Sequence, residues 1–198
     1  MNFKLFKTKI YVSVLFVAVI VVMLIFDKTG LCIYCLLSVF IHELSHLIAM
    51  KLENCSPKEI RLTPASVGII RNFKCGIKQE LKIAVAGPLG NVITGVLFVL
   101  LFLIFNKVLL LKIALLNFVC AVFNLLPVCG LDGGTIFICL MSKNSLSTKK
   151  PEQMLRLITL LISLLCIFFG TVLALNNTYN PSAFIIGIYL FICSLLRC

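Results

Sequence analysis

Residues 30–50 form a largely apolar run long enough to cross a bilayer, and both histidines of the chain lie inside it. They stand four apart in Phe40-Ile-His-Glu-Leu-Ser-His-Leu-Ile-Ala49, with an acid directly after the first. On a helix, positions i and i+4 share a face, so His42 and His46 converge on one point, with Glu43 one step round from His42. This is the HExxH pattern, in which two imidazoles hold zinc and the glutamate serves as general base. A carboxylate and two imidazoles at membrane depth are costly, and residues of that kind are expected to be functional. The plain alternative is a pair of core histidines beside a chance glutamate.

Five further apolar runs, at 11–26, 83–105, 108–127, 154–175 and 181–196, make the chain an expected all-α polytopic membrane protein of six transmembrane helices. A hydrophobic content of 61% and a mean hydropathy of +1.15 rule out an ordinary soluble domain. One membrane-embedded domain is expected over residues 1–198, with its core at 30–141 and no soluble C-terminal domain. The N-terminal apolar run has no small-residue cleavage site after it and reads as a retained first span. The net charge of +11 comes from basic residues that flank the apolar runs and line no groove. It therefore points to topology and anionic lipid, and nucleic-acid binding is set aside. With the N-terminus inside, only Lys28, Lys107 and Lys112 of the eighteen basic residues fall outside. That asymmetry predicts a multi-pass protein of the cell membrane with both termini cytosolic and the histidines in the cytosolic half.

The ten cysteines lie mostly in apolar runs and read as small packing residues, Cys32 and Cys35 of a CxxC included. Between the second and third runs, residues 58–63 and 67–71 flank Thr63-Pro-Ala-Ser66 and predict a short β-hairpin. Such a hairpin could offer an edge to an extended substrate, or simply rest at the lipid interface.

A third metal ligand is needed, and Asp132 is placed best. It follows the fourth run directly in Asn124-Leu-Leu-Pro-Val-Cys-Gly-Leu-Asp-Gly-Gly134, on the expected cytosolic side. Pro127 and three glycines predict an unwound backbone there, tolerated at membrane depth where it lines a cavity. Zinc with two neutral imidazoles, one carboxylate and hydroxide would be formally neutral, which suits a low-dielectric site. Three protein ligands also leave the fourth position open. Cys129, three residues earlier, is the rival ligand.

HELSH in one apolar run, Ala86-Gly-Pro-Leu-Gly-Asn91 in the next, and Asn124-Leu-Leu-Pro127 leading into LDGG together resemble the site-2 protease family of intramembrane zinc metalloproteases. Within it, the likeness is strongest to the stage IV sporulation proteases of endospore-forming bacteria and covers nearly the whole chain. The resemblance implies zinc held by His42, His46 and Asp132, with Glu43 as base. It further implies that Asn91 and Asn124 contact substrate or oxyanion, although helix packing is a simpler role for either asparagine. Implied partners are a membrane-associated protein substrate, regulatory membrane proteins and the bilayer. The implied reaction is hydrolysis of a peptide bond near the cytosolic face, with a sporulation sigma-factor precursor as one such substrate. A departure from the sporulation proteases is expected in their nucleotide-sensing domain, for which no counterpart is anticipated, and no connecting segment has room for a PDZ domain. A membrane zinc or ion transporter and a catalytically inactive membrane partner are the competing readings. The first usually shows internal repeats and polar groups in several spans. The second is expected to lose Glu43 or Asp132, and both are present.

Overall fold

The computed structural model describes residues 2–5, 8–55, 57–63, 66–71, 75–142, 149–175 and 182–196, which fall into two compact units, residues 1–123 and 124–198. Three positions read from the sequence lie outside the described residues: the turn at Pro64 and Ala65, most of the linker after Ser142, and the turn at 176–180.

The first unit opens with strands β1 (Asn2–Leu5) and β2 (Thr8–Val12), followed by helices α1 (Val14–Phe26) and α2 (Leu31–Leu52). Strands β3 (Pro57–Thr63) and β4 (Ser66–Arg71) come next, then helices α3 (Ile77–Phe105) and α4 (Val108–Asn124). The strands form one sheet in the order β1-β2-β3-β4. β3 and β4 pair antiparallel, Ile60 opposite Ile69, while β2 joins β3 in parallel, Ile10 opposite Ile60. Residues 11–12, expected to begin the first span, belong instead to β2. The 13 residues left to α1 rise about 20 Å, less than the roughly 30 Å of a hydrocarbon core.

Helices α2 and α3 are each long and apolar enough to cross a membrane. Asp27 fixes the start of α2, accepting the Cys32 amide at 2.7 Å and the Thr29 hydroxyl at 2.7 Å. The helix stops in a Schellman arrangement: Asn54 takes φ 57°, and the Cys55 amide reaches back to the Met50 carbonyl at 2.8 Å. Met50 and Cys55 then pack with Ile83 of α3 in a small buried cluster. Cys55 is disulfide-bonded to Cys75, where packing thiols were expected. The Gln79 side chain accepts the Gly76 amide at the start of α3 and donates to the Glu53 carbonyl at 3.0 Å. Lys82 meets Glu53 at 2.7 Å. One end of α2 is thereby fastened to one end of α3.

Farther along this pair, two glycines of α3 set the separation. A Cβ on Gly90 would collide with the Ser45 hydroxyl, and one on Gly87 with the His46 imidazole. Small residues allow helix backbones this approach, the usual device where lipid supplies no hydrophobic drive for association.

The second unit carries α5 (Asp132–Ser142), α6 (Lys149–Leu175) and α7 (Ser182–Leu196). Of these, α6 is long and apolar enough to cross a membrane. α6 and α7 also meet through glycine, with Gly170 against the Phe184 backbone and Gly187 against Ile167. Buried Thr159 and Ser163 donate to carbonyls of their own helix, Leu155 and Leu160, and so need no partner from lipid. The runs expected to be spans four and six correspond to shorter apolar helices, α4 and α7.

Candidate metal centre and active site

His42 and His46 are buried on the face of α2 that meets α3, with relative exposures of 5% and 7%. Their Nε2 atoms lie 3.2 Å apart and their rings stand nearly perpendicular, at 87°. Two donors on tetrahedral zinc, each near 2.0–2.1 Å from the ion, lie about 3.3 Å apart. The spacing of the two imidazoles therefore fits one ion. The i, i+4 repeat of the helix sets this approach, and the missing side chain at Gly87 leaves the rings room.

The outer nitrogens are held as well. His46 Nδ1 donates to the Ile83 carbonyl at 2.8 Å. That bond puts the proton on Nδ1 and turns the Nε2 lone pair toward His42, the tautomer a metal ligand needs. Ile83 lies one turn before Pro88, whose ring nitrogen cannot donate to the Ala84 carbonyl and crowds that turn of α3. His42 Nδ1 faces the carboxamide of Asn91 at 3.5 Å, and Asn91 is wholly buried. Glu43 is half-buried, next to His42 in α2. Within the first unit the structure thus brings together His42, His46 and Asn91.

Asn124 and Asp132 belong to the second unit. α4 ends at Asn124, three residues before Pro127, which cannot donate a helical hydrogen bond. The segment 125–131 is irregular and is secured at Cys129, whose amide donates to Thr159 Oγ1 at 2.9 Å. Gly130 takes φ 88°, a left-handed conformation within the unwound backbone expected for this stretch. The other two glycines act differently from the expectation of unwound backbone. Gly133 and Gly134 lie in the first turn of α5, where a Cβ would strike the Leu125 and Leu126 carbonyls or that of Val128. They let α5 start directly against the loop. Asp132 is its first residue, half-buried, at the helix end whose amides favour a carboxylate. Cys129, the rival ligand, is buried and disulfide-bonded, with its Sγ 3.2 Å from Thr159 Oγ1, so it offers no thiolate to a metal.

Sequence reasoning missed three contributors: the Ile83 carbonyl, the close approach at Gly87, and the position of Asn91 behind His42. The available signal was the spacing Gly87, Gly90, Asn91, which puts two glycines and an amide on one face of α3.

Comparison with known proteins adds to this geometry. The profile of Peptidase family M50 matches residues 107–169, a stretch that includes Asn124 and Asp132. A zinc metalloprotease of Methanocaldococcus jannaschii is 33% identical over 111 residues, 54% of this chain and 32% of that relative. The chain thus matches about a third of the relative's length. The solved structure of the site-2 protease from Methanocaldococcus jannaschii superposes with a TM-score of 0.74 at 25% identity, covering 100% of this chain and 94% of that one. The fold matches that of a site-2 protease. All three similarities support the M50, site-2 protease family of membrane metalloproteases.

Proposed function

We propose that the chain is a zinc metalloendopeptidase of the site-2 type, hydrolysing a peptide bond of a membrane-associated or transmembrane protein. The observation that carries this reading is the pair of imidazoles with Nε2 atoms 3.2 Å apart, one already fixed as the Nδ1–H tautomer. To His42 and His46 this reading adds Asp132, the carboxylate that the sequence supplies directly after the fourth apolar run, as the third ligand. Two nitrogens and a carboxylate oxygen suit zinc and leave room for a substrate oxygen or water. Bound there, zinc would polarise the scissile carbonyl and make water acidic enough to attack near neutral pH.

The chain's own groups do the rest. Glu43, beside His42 and half-buried, takes the proton of the attacking water and returns it to the leaving nitrogen. Asn124, partly exposed at the end of α4, offers its amide to substrate or to the oxyanion. A helical substrate hides its peptide bonds, so an extended segment must be supplied. β4 ends the sheet order and so provides an edge on which such a segment can pair.

The basic-residue asymmetry supports six spans in the cell membrane, cytosolic termini and cleavage near the cytosolic face. Likeness in sequence to the sporulation proteases makes a sigma-factor precursor the first substrate to try.

The test is Glu43→Gln in the full chain, reconstituted in lipid with a membrane-anchored substrate. Cleavage should disappear while bound zinc stays near the wild-type stoichiometry. Equal cleavage by wild type and variant refutes the role given to Glu43.

A further inference from the structure

Asn91 is the most completely buried polar side chain of the first unit that faces a proposed ligand. Its exposure is 0%, and its carboxamide sits 3.5 Å from His42 Nδ1. As placed, the NH2 group points at the ring and Oδ1 has no hydrogen-bond partner. A buried carbonyl oxygen without a donor costs about 1–3 kcal/mol. The two ends of a carboxamide are chosen by the surrounding network rather than by shape.

That network has a direction. The Ile83 carbonyl can only accept, so His46 must carry its proton on Nδ1 and present Nε2 as a lone pair. His42 Nε2 faces that lone pair at 3.2 Å. Two lone pairs at this distance repel unless a proton or a cation lies between them. For His42 to share a cation with His46, its Nε2 must also be a lone pair, which requires the proton on Nδ1. Only the oxygen end of Asn91 accepts from an Nδ1–H.

We propose that Asn91 is a positioning residue for the metal centre. Its Oδ1 accepts from His42 Nδ1–H and selects the ligand tautomer, as the Ile83 carbonyl does for His46. The two holders are unequal. A backbone carbonyl enforces one tautomer, whereas a carboxamide that turns over permits either. His42 is therefore the adjustable ligand and His46 the fixed one. This inference rests on the reading that the two histidines bind zinc, and it moves Asn91 from substrate contact to ligand support.

The experiment compares wild type, Asn91→Asp and Asn91→Leu, each as the full chain in lipid nanodiscs, by zinc competition against a chelator. Aspartate keeps an acceptor at the same place and should hold zinc within about threefold of wild type. Leucine has similar volume and no acceptor, and should weaken zinc by about 10–100-fold, the usual penalty for losing an outer-shell partner. Because the chain has two histidines, 15N spectra of the zinc-loaded protein resolve both rings. Wild type should show two protonated Nδ1 atoms, and the leucine variant a changed His42 signal beside an unchanged His46. Leucine binding zinc as tightly as wild type, or aspartate failing as badly as leucine, overturns the proposal and leaves the metal centre standing. A wild-type chain that binds no zinc overturns both. Should the leucine variant not fold, the wild-type spectrum and the aspartate affinity still decide the question.

Discussion

A methyl group added at Gly87 should damage the metal centre without replacing any residue that binds or reacts. In Gly87→Ala the new Cβ would lie 2.6 Å from His46 Cε1 and 2.7 Å from His42 Cε1, and would collide with His46 Nε2. Ordinary contact begins near 3.4 Å, so the His42 ring must retreat by about 0.7 Å and the His46 ring by more, or the helices must separate. His46 has little freedom to retreat, being tied through Nδ1 to Ile83. Metal–ligand distances tolerate about 0.2 Å, so the shift is several times what the centre can absorb. Overpacking of this kind costs about 1–3 kcal/mol, offset by up to about 1 kcal/mol from the better helix propensity of alanine. Zinc affinity should fall by about a hundredfold, the upper end of what disturbed ligand support produces. Gly90→Ala is the matched control. Its Cβ meets the Ser45 side chain, so it perturbs the same helix pair away from the imidazoles. The assay is zinc retained after dialysis against graded chelator, with thermal melting run in parallel. If both variants lose similar stability and Gly87→Ala retains zinc as well as Gly90→Ala does, the close-approach argument is wrong.

Two other outcomes are expected. Asp132→Asn should lower zinc occupancy, because a neutral amide is a weaker ligand and leaves the ion's charge uncompensated; full occupancy by metal analysis would remove Asp132 as the third ligand. Asp27 is held below the usual carboxylate range, first by the Thr29 hydroxyl and then by the amides of Cys32 and Thr29. A carboxyl lowered in the folded state stabilises fully above its ordinary value and loses that contribution as pH falls through the lowered one. Thermal melts across the acidic range should therefore show a decline below about pH 4 that is weaker in Asp27→Asn, and identical profiles would refute the capping role.

What the sequence reveals, and what it hides, divides along one physical line. The approach of His42 to His46 is legible because a helix converts a spacing of four into proximity, with no knowledge of the rest of the chain. Asp132 is proposed from chemistry rather than spacing, since a buried dication with two neutral ligands calls for a carboxylate. Contacts between distant segments leave no such local mark. The parallel pairing of β2 with β3 joins residues some fifty positions apart, and nothing in residues 8–12 announces it. The hydropathy of that stretch suited a span equally well. Gly133 and Gly134 were read as freedom of the backbone, but their use is proximity: each has a carbonyl where a side chain would be. Asn91 was legible as unusual and not as to purpose, because its purpose depends on the rotational setting of α3 against α2.

The bond from His46 to Ile83 also bears on how this chain can change over generations. A main-chain carbonyl is supplied by every amino acid, so position 83 can drift among apolar residues of suitable size without loosening its hold on the imidazole. The partner of His42 is a side chain and enjoys no such latitude. Among variants that keep function, position 83 should accept valine or leucine, while position 91 should be confined to residues carrying an oxygen acceptor. The two halves of one centre would then differ sharply in the substitutions they tolerate.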